Sequence, residues 1–146
     1  MGFHPGSGSV RKNWPLERWL EMIGRADRER EGLTWMLVVG EAEGERMEEL
    51  KAAMDAAVRR WEFAEGLDLR ALAERLRECV MFFGHDSGVS HLAAACGVEC
   101  RLLYPATEAS VWGASGSGGN DVRIFSWDGR SGEEGGPEAA FFLDGW

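Results

Sequence analysis

One segment of the sequence has the residue types that bind phosphate groups. It runs from His4 to Lys12 and reads His-Pro-Gly-Ser-Gly-Ser-Val-Arg-Lys. Its glycines let backbone N–H groups approach a ligand, and Ser7 and Ser9 offer hydroxyl donors. The basic pair at its end, Arg11 and Lys12, adds positive charge. The segment therefore suits a phosphate, although a flexible turn with a solvated basic pair is an equally good interpretation of its composition.

This segment matches neither of the common phosphate-binding motifs. The chain has no Gly-Lys-Ser/Thr, so the segment is not a Walker A loop. The dinucleotide-binding fingerprint is also excluded, because Gly6-x-Gly8 is followed by Arg11 where a third glycine is needed.

A second polar segment, residues 84–91, reads Gly-His-Asp-Ser-Gly-Val-Ser-His and follows an apolar run. The pattern predicts a strand, a turn and a helix N-terminus, whose free N–H groups and dipole favour an anion such as a diphosphate. Asp86 or Ser87 could instead only cap the helix, a contribution of about 1 kcal/mol. A lone histidine such as His91 is more often structural than a ligand.

A third segment, residues 41–45, carries Glu41, Glu43 and Glu45 after an apolar run. A carboxylate accepts two hydrogen bonds and can hold the hydroxyls of a ribose or another sugar. Acidic residues also favour the first turn of a helix, so this segment alone does not decide between the two interpretations.

Two other chemistries fit the sequence poorly. The nucleophile elbow of a hydrolase needs Gly-x-Ser-x-Gly, and Ser87 stands one position too late for it. Cys96 and Cys100 are four residues apart without a second pair, which favours core packing over a metal site.

Regular elements that could position these segments alternate along the chain. Short β-branched or aromatic runs predict strands at 1–4, 35–40, 62–64, 80–84, 101–104 and 122–127. Between them, helical stripes are formed by Leu16, Trp19, Leu20 and Ile23, by Met47, Leu50, Met54 and Val58, by Leu69, Leu72 and Leu76, and by the small residues 92–96. Alternation of this kind predicts an α/β fold around a parallel sheet. Ligands bind beyond the carboxyl ends of such strands, where all three polar segments fall.

Length and composition indicate one globular domain, which we assign to residues 1–146. A glycine-rich stretch at 113–136 predicts loops around the last strand. The net charge of −9 disfavours nucleic acid as a partner. No apolar run is long enough to span a bilayer, and the first residues lack the pattern of a signal peptide. We therefore expect a cytoplasmic chain without a transmembrane segment.

In order and spacing, the polar segments resemble one family. The blocks are His4-Pro-Gly-Ser-Gly-Ser, Lys12-Asn-Trp-Pro, Gly40-Glu-Ala-Glu-Gly-Glu, Asp86-Ser-Gly-Val-Ser-His, Tyr104-Pro-Ala-Thr and Val111-Trp-Gly. From about residue 3 to residue 127 the chain resembles the C-terminal half of glycosyltransferase family 9, the ADP-heptose:lipopolysaccharide heptosyltransferases.

The resemblance implies the C-terminal domain of a GT-B glycosyltransferase, a Rossmann-like three-layer fold that holds the nucleotide-sugar. It implies inverting transfer without a metal or a cofactor, with ADP-heptose or a similar nucleotide-sugar as donor. The positions that match the substrate-binding residues of the family are Ser7, Gly8, Ser9, Lys12, Glu43, Asp86, Ser87, Gly88 and His91. Lys12 is also the expected catalytic group, because its charge would stabilise the departing diphosphate.

The resemblance assigns the general base to an N-terminal acceptor domain, which we expect to be a separate or deleted part. The chain by itself is then expected to be inactive as a transferase, and the acceptor would be a lipopolysaccharide core glycan at the cytoplasmic face of the membrane. The family's Gly-Pro-Thr is replaced by Pro105-Ala-Thr after Tyr104. Two alternatives remain at this point: a stand-alone, non-catalytic nucleotide-sugar or phosphate-ligand binding module, and an unrelated Rossmann-like phosphate binder.

Overall fold

Strands and helices alternate in a computed structural model that describes residues 1–6, 13–40, 46–104, 114–116 and 119–126. In chain order the elements are β1 (Gly2–His4), α1 (Leu16–Glu29), β2 (Trp35–Val39), α2 (Met47–Ala57), β3 (Trp61–Glu65), α3 (Leu69–Arg77), β4 (Met81–His85), α4 (Gly88–Ala95), β5 (Glu99–Tyr104) and β6 (Val122–Ser126). The predicted strands and helical stripes all correspond to elements of this series.

The strands form one parallel sheet in the order β3-β2-β1-β4-β5-β6. The chain thus builds outward from β1 to β3, and then returns to place β4 on the other side of β1. This order creates a topological switch point between β1 and β4, where open α/β sheets bind ligands beyond the carboxyl ends of the strands.

Helices cover both faces of the sheet. Strand side chains alternate between the faces, so Phe3 and Phe83 pack with α1 and α2, whereas Phe82 and Leu102 pack with α3 and α4. The predicted α/β fold with a three-layer parallel sheet is therefore confirmed. The predicted glycine-rich loops lie largely outside the described residues.

The end of β4 differs from the prediction by one residue, and the difference affects the site. The strand was expected at 80–84, but Val80 is 76% exposed and precedes it. His85 instead pairs with Leu103 of β5 and is fully buried. A histidine that the sequence pattern assigned to a turn is therefore the last residue of a central strand.

Helix starts follow local side-chain chemistry. The Asp68 carboxylate caps α3 by accepting a hydrogen bond from the Ala71 N–H at 2.8 Å. The small-residue helix expected at 92–96 begins earlier, at Gly88, because Ser87 caps it there.

Candidate functional site at the switch point

The N-terminus of α4 stands directly beyond the carboxyl end of β4. The Ser87 hydroxyl accepts a hydrogen bond from the Ser90 N–H at 3.3 Å, and the Ser90 hydroxyl donates to the carbonyl of His85. Ser90 can come this close because residue 84 is glycine: a Cβ there would lie 2.9 Å from the Ser90 Oγ. These bonds fix the first turn of α4 against the strand.

The first residue of α4 faces open space. Gly88 is exposed, and a Cβ built on it would have no atom of the described residues within 4 Å, so the start of this helix is open to a ligand. The helix dipole makes such a position favourable for an anion. Of the two predicted caps, Ser87 is the one that caps α4, which leaves Asp86 for other contacts.

Asp86 and His91 lie together beside this turn. The Asp86 Oδ1 is 3.9 Å from the His91 Nε2, and only 11% of the Asp86 side chain is exposed, against 47% for His91. His91 is therefore not a buried core histidine. The structure brings Asp86, Ser87, Gly88 and His91 to one place, as the motif predicted.

A cavity of about 380 Å³ adjoins α4 at the carboxyl ends of β2 and β3. Its walls are formed by Val38, Val39, Gly40, Ala64, Glu65, Gly66, Leu67, Leu72 and Val89. Val89 belongs to the first turn of α4, so the cavity borders that turn. A mostly apolar slot next to an anion-favouring helix end can hold a planar apolar group joined to a phosphate.

Tyr104 is a buried group at this edge that the sequence analysis treated only as a departure from the family pattern. It ends β5, is 1% exposed, and its hydroxyl accepts a hydrogen bond from the Ala114 N–H at 3.1 Å. Burial raises the pKa of Tyr104, and the charge of nearby Asp86 adds to the increase. Tyr104 is therefore a buried hydroxyl near Asp86.

His85 is a second residue that sequence reasoning missed. Its Nε2 accepts hydrogen bonds from the Trp14 backbone N–H at 2.7 Å and from the Trp19 indole at 3.2 Å. Burial, together with the proximity of His4, lowers the pKa of His85 to about 3, so the imidazole is neutral. The available signal was a polar residue at the end of an otherwise apolar strand.

The remaining predicted site residues, Ser7, Gly8, Ser9, Lys12 and Glu43, lie outside the described residues. Their described neighbours are at the same edge of the sheet: Gly6 follows β1, and Gly40 lines the cavity after β2. In the part of the chain that the structure covers, no three His, Cys, Asp or Glu side chains are grouped to hold a metal ion. The helices within that part are too short or too polar to cross a membrane.

Solved structures with the same fold are glycosyltransferases. Heptosyltransferase WaaC of E. coli with ADP has a TM-score of 0.71 at 24% identity, over 84% of this chain and 37% of that one. The E. coli ADP-heptose lps heptosyltransferase II has a TM-score of 0.70 at 23% identity, over 85% and 37%. The glycosyl transferase family 9 protein from Veillonella parvula has a TM-score of 0.66 at 20% identity, over 86% and 34%.

This chain thus matches little more than a third of the length of those structures. No curated protein sequence matches it. The family model of glycosyltransferase family 9 (heptosyltransferase) matches residues 1–129. Because that match spans most of the sequence, the predicted resemblance is confirmed, and the chain belongs to glycosyltransferase family 9.

Proposed function

We propose that this chain binds the nucleotide-sugar donor, ADP-heptose or a close analogue, for an inverting heptosyltransferase-type reaction. The observation that carries the proposal is the mostly apolar cavity that borders the first turn of α4 through Val89. The nucleobase would occupy the cavity beside Gly66 and Leu67, and the diphosphate would lie against Gly88. Membership of family 9 and the ADP in the WaaC structure support this choice of ligand.

Residues outside the described part would complete the donor site. Lys12 follows β1 in the sequence and would neutralise the charge that develops on the departing diphosphate. Ser7, Gly8 and Ser9 would donate hydrogen bonds to phosphate oxygens, and Glu43, close after Gly40, would accept them from sugar hydroxyls.

In the proposed reaction an acceptor hydroxyl forms a new bond to the anomeric carbon while the bond from that carbon to the diphosphate breaks. The proton leaves to a base that we assign to an N-terminal acceptor domain, as the family resemblance implies. The acceptor would be a glycan of the lipopolysaccharide core, met at the cytoplasmic face of the membrane. No metal or cofactor is required by this proposal, because Lys12 and the α4 dipole stabilise the leaving group.

Calorimetric titration with ADP-heptose, ADP, UDP and GDP tests the proposal. We expect ADP-heptose and ADP to bind, with UDP and GDP weaker. Absence of binding by all four ligands, or equal binding of the three nucleoside diphosphates, would contradict it. Binding of ADP-heptose by a chain that still fails to transfer sugar after an acceptor domain is supplied would favour the non-catalytic binding module.

A substitution at Gly88 tests the position of the diphosphate. Gly88→Leu adds a side chain where the structure has open space, so the fold should be kept while ADP affinity falls by about tenfold or more. The matched control is Ala95→Leu, which adds the same side chain at the exposed far end of α4. Equal affinities in the two variants would move the diphosphate away from this helix.

Lys12→Ala tests the proposed phosphate contact. We expect weaker binding of ADP and ADP-heptose with an unchanged unfolding midpoint, because the substitution removes one charge from a sequence of small and polar residues. Unchanged affinity would remove Lys12 from the site.

A further inference from the structure

His85 is bonded to both chain segments that border the proposed diphosphate site. Through Nε2, its side chain accepts hydrogen bonds from Trp14 and Trp19, and its backbone carbonyl accepts one from the Ser90 hydroxyl in the first turn of α4. One fully buried residue at the end of β4 thus contacts the start of α4 and the segment that leads into α1.

The two N–H donors determine the protonation of the ring. A ring nitrogen that accepts hydrogen bonds carries no proton, so the proton of the neutral imidazole is on Nδ1. Nδ1 is buried and has no hydrogen-bond partner of normal geometry among the described residues. The backbone of Pro5 and Gly6 raises the pKa of the His85 ring, against the larger lowering effect of burial.

These contacts bracket the segment that carries the predicted phosphate ligands. Pro5 and Gly6 immediately precede residues 7–12, and Trp14 follows them after Asn13. The imidazole is therefore near the residues that precede this segment and is bonded to Trp14, which follows it.

Aromatic packing keeps that ring in place. Trp19 lies edge-on to His85, with ring centroids 4.9 Å apart, and Trp14 lies edge-on to Trp19 at 5.1 Å. All three side chains are almost completely buried. In such a dry site a donor left without an acceptor is costly, so the bond to the Trp14 N–H is strongly favoured.

We propose that His85 is a positioning residue for donor binding, an inference that rests on the proposed function. It holds Trp14, at the entry to α1, in register with the first turn of α4 at the switch point. His85 itself does not touch the ligand; its effect is confined to the phosphate end of the site.

Three substitutions separate this role from a general contribution to stability. In His85→Gln the amide oxygen can accept near the position of Nε2, whereas the shorter side chain in His85→Asn cannot reach it, and His85→Leu has no acceptor. ADP and adenosine are the ligands, because adenosine lacks the phosphates. We expect His85→Leu and His85→Asn to reduce ADP affinity about tenfold more than adenosine affinity, because preorganisation is lost. His85→Gln should keep the wild-type ratio of ADP affinity to adenosine affinity.

Asp27→Ala is the matched control, because it also removes a buried acceptor of an indole N–H, but at the amino ends of the strands. It should leave the ratio of ADP to adenosine affinity unchanged. Hydrogen exchange of the Trp14 backbone amide gives a readout that needs no ligand. It should be faster in His85→Leu and His85→Asn and remain slow in His85→Gln.

The outcomes separate the two proposals. A wild-type chain that binds no ADP overturns the proposed function. A wild-type chain that binds ADP, with the same ratio in Gln, Asn and Leu, overturns the role of His85 alone. If His85→Leu does not fold, the Gln and Asn pair still decides, since equal ratios in those two variants also contradict the proposal.

Discussion

Two buried side chains beside α1, Asp27 and His85, have nearly the same set of neutral donors. Asp27 accepts hydrogen bonds from the Trp35 indole at 3.3 Å and from the Arg59 backbone N–H at 3.2 Å. His85 likewise accepts one from an indole and one from a backbone N–H. Both residues are no more than 2% exposed. Their charges nevertheless differ, because Arg59 stabilises the Asp27 carboxylate, whereas burial disfavours the protonated form of His85.

The Arg59 guanidinium makes that difference. Its Nε donates to the Asp27 Oδ2 at 2.8 Å. Burial by itself raises the pKa of Asp27, but the hydrogen bonds and charge of Arg59, with the Trp35 indole, lower it below its usual range. For His85, burial and the charge of neighbouring His4 both lower the pKa and keep the ring neutral.

The two residues also stand at opposite ends of the sheet. Trp35 begins β2 and Arg59 precedes β3, so Asp27 joins α1 to the amino ends of the strands. His85 ends β4 at the switch point, where ligands bind. Similar polar contacts thus fasten the fold at the amino ends of the strands and, in the role proposed for His85, position the binding site at their carboxyl ends.

The largest expected effect on stability is that of Asp27→Ala. It leaves the Trp35 indole N–H and the Arg59 backbone N–H without their acceptor and removes the ion pair with the guanidinium, so the free energy of unfolding should fall by about 3 kcal/mol at neutral pH. Urea unfolding measures this loss. A decrease of less than about 1 kcal/mol would mean that water replaces Asp27 as the acceptor for these donors. The hydrogen bonds of Asp27 would then add little to the stability of the fold.

The pH dependence of stability separates the two residues. Below about pH 6.5 an unfolded His85 takes up a proton that the folded chain excludes until about pH 3, so its stabilisation is complete above pH 6.5 and is lost as pH falls through that window. Between pH 7 and pH 5 the wild-type chain should lose about 2 kcal/mol more than His85→Gln.

Asp27 should affect the pH dependence of stability only at lower pH than His85 does. Its pKa is lowered, so its stabilisation is present above the ordinary value of 3.8 and is lost only below it.

The prediction for His85 would be contradicted by parallel stability curves for the wild-type chain and His85→Gln between pH 7 and pH 5, which would show that His85 is accessible to water.

Arg59→Met should make Asp27 resemble His85. The neutral donors from Trp35 and the backbone remain. Without the guanidinium, however, the effect of burial outweighs their effect, and the pKa of Asp27 rises. We expect a loss of about 1.5 kcal/mol at neutral pH and an acid-unfolding midpoint at higher pH. An unchanged midpoint would show that the cation does not set the charge of Asp27.

Trp19→Phe should have the smallest effect, about 1 kcal/mol, because His85 keeps the Trp14 N–H and no buried donor is left unpaired. The counterpart Trp35→Phe removes the indole bond to Asp27 and should cost about as much. In Trp19→Phe the ratio of ADP to adenosine affinity should equal that of the wild-type chain. A reduced ratio would transfer the positioning role from the backbone contact to the indole.

Much of the fold could be predicted because it follows from the local spacing of apolar and polar residues. The strands and helices follow alternation and three-to-four-residue spacing, which depend only on neighbouring residues. The cluster of Asp86, Ser87, Gly88 and His91 was predictable for the same reason, since a turn and one helical turn bring these residues together.

His85 was not predictable in that way. Its partners, Trp14 and Trp19, are 71 and 66 residues away in sequence, and they meet it only because β4 is placed beside β1. The cavity was not predictable either, since residues near the ends of β2 and β3 and in the first turn of α4 form its walls together. Tyr104 reaches Asp86 from the neighbouring strand, β5.

The sequence by itself determined which segments form strands and helices, the parallel α/β class, and the polar residues that follow the strands. Only the tertiary structure decided the strand order, the cavity beside α4 and the neutral, doubly bonded state of His85. The physical reason is that backbone conformation is governed by near neighbours, whereas burial and hydrogen-bond partners depend on contacts between segments far apart in the chain.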